Sequence, residues 1–258
     1  MKAIILAGGR GERLNEETTI RPKPMVEIGG KPILWHLLKG LSSFGINDFI
    51  LCCGYKGYVI KEYFVNYFLH SSDITIGLDD NSLTVHERRA EPWKITLVDT
   101  GVETMTGGRL LRVKKYVQEE SSFFFTYGDG IGNIDIYKLS QFHNAHEGIA
   151  TVTAVYPPGR FGALKMEDNK VIDFSEKPRG DNSLINGGFF ILDQACFEYI
   201  EDDLTSWEEH SLKLLAQRNQ LNGYHHNGFW HPMDTQRDKK FLEHLWETGN
   251  PPWKTWND

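Results

Sequence analysis

Cysteine is scarce: three occur in 258 residues, Cys52 and Cys53 side by side and Cys196 alone. That set offers neither an even disulfide framework nor a C-x-x-C metal spacing, so all three read as buried thiols in a reducing cytoplasm. No apolar run is long enough to cross a bilayer, and the short apolar stretch at 2–7 runs straight into glycines, so neither a membrane span nor a signal peptide is expected. Positive charge is not in excess. Lys and Arg number 28 against 35 Asp and Glu, a net charge of −7, which argues against a general affinity for nucleic acid because phosphate backbones are held by clustered cations. Internal repeats and Pro- or Ser-rich linkers are also missing, which disfavours solenoids and separable domains.

What is present is an ordinary globular composition, 40% hydrophobic and 24% charged, in a chain long enough for one large core. The first half alternates strand and helix patterns: strands at 2–7, 49–53, 73–78, 95–98 and 123–127, helices at 32–44, 56–68, 109–117 and 136–146. Such alternation predicts an α/β fold, a Rossmann-like, mostly parallel mixed sheet flanked by helices. Beyond residue 150 the runs shorten (150–156, 162–166, 170–174) and are punctuated by Pro157, Pro158 and Gly159, which predicts a β-rich lobe around 150–230 within one domain over 1–258. A buried strand at 187–192 and a final helix at 236–246 follow. The tail from Pro251 carries Trp253 and Trp256, too apolar to stand bare, and is expected to dock on the body or on another subunit.

The first strand opens into Leu6-Ala7-Gly8-Gly9-Arg10-Gly11-Glu12-Arg13-Leu14, followed by Arg21-Pro22-Lys23-Pro24-Met25. Glycines at the carboxyl end of a strand let backbone N–H groups approach phosphate oxygens, and Arg13 and Lys23 add charge-assisted contacts to a polyanion. The plainer reading is a tight turn with a solvated basic pair. Two familiar phosphate loops are excluded: Leu14 stands where the dinucleotide fingerprint needs its third glycine, and no Gly-Lys-Ser/Thr follows as in the P-loop.

The stretch from Leu6 to Arg13 with Lys23-Pro24 resembles the signature of the sugar nucleotidylyltransferases, and the likeness runs over essentially the whole chain. Pro24-Met25-Val26-Glu27-Ile28-Gly29-Gly30-Lys31-Pro32, Cys52-Cys53-Gly54-Tyr55-Lys56-Gly57-Tyr58, Met105-Thr106-Gly107-Gly108-Arg109 and Trp230-His231-Pro232-Met233-Asp234-Thr235 are similar to the members that use CTP. The resemblance implies CTP and glucose 1-phosphate as substrates, Mg²⁺ as cofactor, a cytoplasmic homo-oligomer, a sugar-binding role for the β-rich lobe, and a product destined for deoxysugars of lipopolysaccharide. The residues alone leave the base open, and with it a uridylyl- or thymidylyltransferase or a non-catalytic sugar-nucleotide sensor.

Carried over residue by residue, the resemblance implies that Leu6, Ala7, Gly8, Gly9, Arg10, Gly11, Glu12, Arg13 and Lys23 bind the nucleotide, with Arg13, Lys23 and Asp129 catalytic. Asp129, in Tyr127-Gly128-Asp129-Gly130 past an apolar run, matches a magnesium ligand; the alternative is a plain Asp-Gly turn. Asp234 matches the second. It would otherwise cap a helix, but Thr235 can be that cap, with Asp238 completing a capping box, which frees Asp234 for metal. Glu176, Lys177, Asn186 and Gly188 match the sugar-phosphate side, and Gly128, beside Asp129, is implied to bind substrate. Lys177 precedes Pro178, which keeps it extended and suited to aiming an ammonium, although the residues alone read more plainly as a solvated lysine in a hairpin turn. Thr106 and Arg109 are assigned to nucleotide binding, Arg109 alternatively to surface charge. Two positions depart from the family: Glu12 stands where threonine is common, and Ser211 where proline is usual. His225 and His226, adjacent on a strand, would face opposite ways and share no metal, and 123–125 is expected in the core.

Overall fold

A computed structural model describes residues 1–11, 14–87, 89–158, 163–167, 170–175 and 183–256. Strand β1 (Ala3–Ala7) is buried at every position, as a strand covered on both faces should be. A short helix α1 (Asn15–Thr18) and the hairpin β2 (Glu27–Ile28) and β3 (Lys31–Pro32) lead to α2 (Ile33–Ser42), β4 (Asp48–Cys53) and α3 (Gly57–His70). The ribbon β5 (Asp73–Gly77) and β6 (Ser82–Glu87) precedes β7 (Lys94–Asp99), α4 (Thr106–Arg112) and β8 (Ser122–Tyr127). β1 pairs in parallel with both β4 and β8, and β4 in parallel with β7. The chain therefore leaves β1 towards β4 on one side and returns as β8 on the other, and this reversal opens a crevice at the carboxyl ends of β1 and β8.

After β8 come β9 (Gly130–Gly132), α5 (Ile136–Asn144), β10 (Ala150–Val155), β11 (Ala163–Glu167), β12 (Lys170–Ser175), β13 (Ile185–Asn186) and β14 (Phe190–Asp193). The last elements are α6 (Leu212–Gln217), β15 (Leu221–His226), β16 (Trp230–Pro232) and α7 (Gln236–Glu247). β14 joins β8 antiparallel, β10 joins β14 and β13 antiparallel, and β15 runs parallel to β10, completing a mixed, mostly parallel sheet.

The sequence pattern and the structure differ in instructive places. Among the described residues, the strand expected at 73–78 pairs only with β6, away from the central sheet. The runs at 150–156 and 187–192, grouped by sequence with the β-rich region, extend the central sheet, while β11 and β12 form the separate ribbon. An apolar run fits a sheet centre or a small lobe equally well until its partner is known. The helix expected at 109–117 begins at Thr106, ends at Arg112 and is followed by a 3₁₀ turn at Lys114–Tyr116.

Period-two alternation divides the core between the two faces of the sheet. Ala3, Ile5 and Ala7 pack with α2, α7 and Trp253 on one side, and Ile4 and Leu6 pack with α4 and Trp207 on the other. Cys53 and Cys52 fall on opposite faces by the same rule, and all three cysteines are buried free thiols. Phe123, Phe124 and Phe125 are wholly buried core residues. The tail docks on its own body: Trp253 is 1% exposed and Trp256 9%. Each buried indole is worth on the order of 4–6 kcal/mol as an upper bound. No helix among the described residues is long and apolar enough to cross a membrane.

His36, on α2, sits among the tail indoles. Its Nε2 lies 2.8 Å from the Ile28 carbonyl, and the Trp253 indole N–H donates to its Nδ1 at 3.5 Å. These partners suit a neutral ring protonated at Nε2. Burial first, and the nearby Lys31 charge, hold the His36 pKa down at about 4, although the carbonyl bonds oppose the shift. Because the folded pKa lies below that of the unfolded chain, the unfolded state takes up the proton first, and stability present above pH ~6.5 is lost as pH falls towards 4. The expected loss is about 3 kcal/mol over that window. His146 and His226 shift in the same direction, so they steepen the total. Urea unfolding measured from pH 7.5 to 4.5 should show this decline, with a shallower slope in His36→Gln; equal slopes would place the titration elsewhere.

Candidate active site

Four parallel strands deliver their carboxyl ends to one edge of the sheet: β1 into Gly8, β4 into Gly54, β7 into Thr100 and β8 into Gly128 and Asp129. Arg109, reaching up from α4, lies beneath the first two loops. Its guanidinium donates to the carbonyls of Cys53 (3.3 Å) and Val102 (3.0 Å) and to the Thr100 hydroxyl (2.9 Å). A Cβ on Gly8 or on Gly54 would run into that guanidinium, and one on Gly54 would also approach the Gly8 carbonyl to 2.7 Å. Only glycines let the two loops cross over the arginine. The Tyr55 N–H then donates to the Gly8 carbonyl at 3.1 Å.

Lys23 begins a 3₁₀ turn between Pro22 and Pro24 (Lys23–Met25), and its stem runs against Gly11 of the glycine loop. Its ammonium donates to Asp129 Oδ2 at 2.6 Å and to Asp234 Oδ1 at 2.5 Å. Burial by itself would lower the Lys23 pKa, but the Asp129 carboxylate, assisted by Asp234, raises it above the usual lysine value, so the ammonium stays charged.

The two aspartates are set by a two-stranded ribbon. β9 starts one residue after Asp129, β16 ends two residues before Asp234, and Gly130 pairs with Pro232 in the antiparallel ladder. The Met233 N–H donates to the Asp129 carbonyl at 2.8 Å, which closes the register. Thr235 caps α7 with a complete capping box to Asp238, as the sequence predicts, and the Asp238 carboxylate also accepts from the Asp234 backbone N–H at 3.1 Å. The Asp234 carboxyl group is thus turned to Lys23 and not to the helix end.

Both carboxylates line a cavity of about 390 Å³ whose walls include Tyr127, Pro157, Asn186, Gly188 and Trp230. The Asn186 amide oxygen accepts from the Gly188 N–H at 2.8 Å, and Trp230 donates to the Gly187 carbonyl at 2.7 Å, tying this wall to β16. A concave site with a few convergent polar groups, beside a glycine loop and two carboxylates holding an ammonium, is a candidate binding site.

Residues 2–235 match the family model described as nucleotidyl transferase. The chain belongs to that family. It is 59% identical over 256 residues to the glucose-1-phosphate cytidylyltransferase of Salmonella typhi, covering 99% of this chain and 100% of that one. It is 30% identical over 250 residues to the mannose-1-phosphate guanyltransferase of Saccharomyces cerevisiae, covering 94% and 63%. Its fold is similar to that of HddC from Yersinia pseudotuberculosis in a crystal structure complexed with GMP-PN, with a TM-score of 0.68 at 24% identity, covering 95% and 99%.

Of the residues that sequence assigned to the site of this nucleotidyl transferase, the structure gathers the loop from Leu6 to Gly11, Lys23, Gly128, Asp129, Asn186, Gly188 and Asp234 at one sheet edge. Glu12, Arg13, Glu176 and Lys177 lie outside the described residues. Arg10 is turned towards the 100–105 loop, where it pairs with Glu103. Thr106 donates to Glu208 at 2.6 Å and accepts from the Trp207 N–H at 2.9 Å. Gly107 and Gly108 admit the backbone of Thr205 and Asp203, to 2.7 and 2.5 Å of a would-be Cβ, so part of what marks the 105–109 stretch in sequence is close helix packing.

Arg109 is not the surface charge allowed for in the sequence; it is 5% exposed. Sequence reasoning also passed over Glu208. Its second oxygen accepts from the Tyr127 hydroxyl at 2.6 Å, and burial together with that carboxylate raises the Tyr127 pKa far above its usual value. Nothing local to Glu208 signals a contact with residues 81 and 102 positions away. The buried bonding of Arg109 predicts that Arg109→Met lowers unfolding stability by about 2–4 kcal/mol by removing three charge-assisted hydrogen bonds and loosening the Gly8–Gly54 crossing. Chemical denaturation of the nucleotide-free protein checks this. A stable variant with only weakened nucleotide binding would reverse the assignment.

Proposed function

We infer that this nucleotidyl transferase moves the cytidylyl group of CTP to α-D-glucose 1-phosphate, forming CDP-glucose and pyrophosphate. The observation that carries the reading is identity of 59% along the full length of a cytidylyltransferase that uses glucose 1-phosphate. At 30% identity the named base and sugar both change, so the higher match supports the finer assignment.

In this reading a phosphate oxygen of glucose 1-phosphate attacks the α-phosphorus of CTP in line. The new O–P bond forms as the bond to the departing pyrophosphate breaks, with no covalent enzyme intermediate. The glycine-loop N–H groups and Lys23 stabilise charge on the α-phosphate, Arg13 holds the outgoing phosphates, and Lys177 positions the nucleophile. Arg109 and the Gly8–Gly54 crossing keep the loop preorganised.

Asp129 and Asp234 are the residues that would hold Mg²⁺, whose chemistry when bound is to neutralise the triphosphate and polarise the phosphate under attack. The donor set fits. Two hard carboxylates converge on one cation position, and no cluster of three or more His, Cys, Asp or Glu exists among the described residues to form a closed protein cage, which suits an ion that keeps waters and phosphate oxygens.

The proposal places the enzyme in the cytoplasm, supported by three buried free thiols, and as an assembly of like chains. The β5–β6 ribbon supports assembly: register puts Ile74 opposite Val85 and Ile76 opposite Leu83 on one face, with Ile76 55% and Leu83 49% exposed. A lone two-stranded ribbon with such a face is marginal in water until covered. Sedimentation should show a species larger than the 29.6 kDa chain, and a monomer across the concentration range would remove the assembly. For the chemistry, Asp129→Ala should lower pyrophosphate release from CTP and glucose 1-phosphate by at least about 100-fold with circular dichroism unchanged. In the same assay CTP should exceed UTP and dTTP by at least about 100-fold in kcat/KM. Near-normal turnover by the variant would sink the role of Asp129, and equal use of UTP or dTTP would sink the base.

A further inference from the structure

Lys23 does something besides meeting phosphate. Its single ammonium contacts Asp129 and Asp234 together, at 2.6 and 2.5 Å, so the carboxylate pair already has a cation between its oxygens. The side chain is 9% exposed and its stem is pinned under the glycine loop at Gly11. A divalent ion bound by both carboxylates needs metal–oxygen distances of about 2.0–2.1 Å. An ammonium and such an ion cannot share that position, because both are cations and both would claim the same oxygens. Lys23 cannot simply withdraw either, since a largely buried ammonium stripped of its counter-ions carries a heavy desolvation cost. It needs another anion within reach of the same stem, and the loop above it is where a triphosphate would place one.

We propose that Lys23 bars divalent metal from Asp129 and Asp234 in the free enzyme and yields the pair only when a nucleoside triphosphate offers its ammonium replacement oxygens, so that metal binds with the triphosphate and not before it. This rests on the reading of Asp129 and Asp234 as metal ligands. Chemically it is an exchange of partners. The ammonium passes from two carboxylates to phosphate oxygens, the carboxylates pass from ammonium to metal, and no buried charge is left unpaired at either stage. A charged lysine is suited to this because its three donors sit on a flexible stem and demand no fixed fork geometry.

Mn²⁺ binding followed by electron paramagnetic resonance on the full chain, with no turnover involved, tests the exchange. Without nucleotide, wild type should bind Mn²⁺ at Asp129 and Asp234 at least about tenfold more weakly than Lys23→Met, a difference of about 1.4 kcal/mol. Adding the non-reacting analogue α,β-methylene-CTP should raise wild-type affinity far more than it raises that of the variant. Equal nucleotide-free affinity in wild type and Lys23→Met would overturn the proposal. Asp129→Asn in the Lys23→Met background should abolish the tight site; if it does not, the metal assignment itself is wrong and the exchange falls with it. Should Lys23→Met fail to fold, a lysine-ammonium NMR titration of wild type decides: Mg²⁺ alone should leave the Lys23 signal in place, and Mg²⁺ with the analogue should move it. Displacement by Mg²⁺ alone would refute the exchange.

Discussion

The buried ammonium of Lys23 between Asp129 and Asp234 is the contact on which the rest of the site depends. It joins a turn after the first strand to segments 106 and 211 residues away, so no local folding can make it. Without the ammonium the two carboxylates would face each other as like charges at close range. The architecture can be understood as what brings these three groups together. Parallel pairing of β1 with β8 sets the glycine loop beside Asp129, and the β9–β16 ladder then fixes Asp234 against Asp129.

Beneath this triad lies a second buried cation managed differently. Arg109 meets carbonyls and a hydroxyl, and burial lowers its pKa from the ordinary arginine value without removing its charge. Its role is mechanical: it props the crossing of Gly8 and Gly54. The two cations divide the labour, since a guanidinium with five fixed donors suits a permanent brace and an ammonium on a flexible stem suits a group that must change partners.

Features carried by local chemistry were legible in the sequence. Glycines after an apolar strand marked the loop at the carboxyl end of β1, and the Thr235-x-x-Asp238 spacing foretold the cap of α7. Cys52 and Cys53 could be placed in the core because they lie in an apolar run, the mark of a strand covered on both faces. What could not be read was anything set by distant partners. Arg109 has the composition of a surface helix residue, and only the carbonyls of Cys53 and Val102 make it a core one. The run at 73–78 has the pattern of a sheet strand, yet its pairing with 82–87 keeps it outside the central sheet. Lys23 could be assigned to phosphate from its neighbours, but not to two aspartates from any spacing.

Ser211 shows how a departure from a family pattern can be resolved by backbone chemistry. Its N–H donates to the Ser206 carbonyl at 3.3 Å, a bond five residues back that makes Trp207–Ser211 a π-turn, and a proline there would have no N–H to give. The Ser211 hydroxyl also donates to the Tyr199 carbonyl at 2.7 Å, so the substituted residue is doubly anchored and fully buried. Within that turn Trp207 is buried in the core while Glu208, the next residue, faces Thr106 and Tyr127. A single carboxylate thereby links the start of α4 to the wall of the cavity two residues from Asp129. The turn that looks like a departure in sequence is therefore part of what ties α4 to the wall of the cleft.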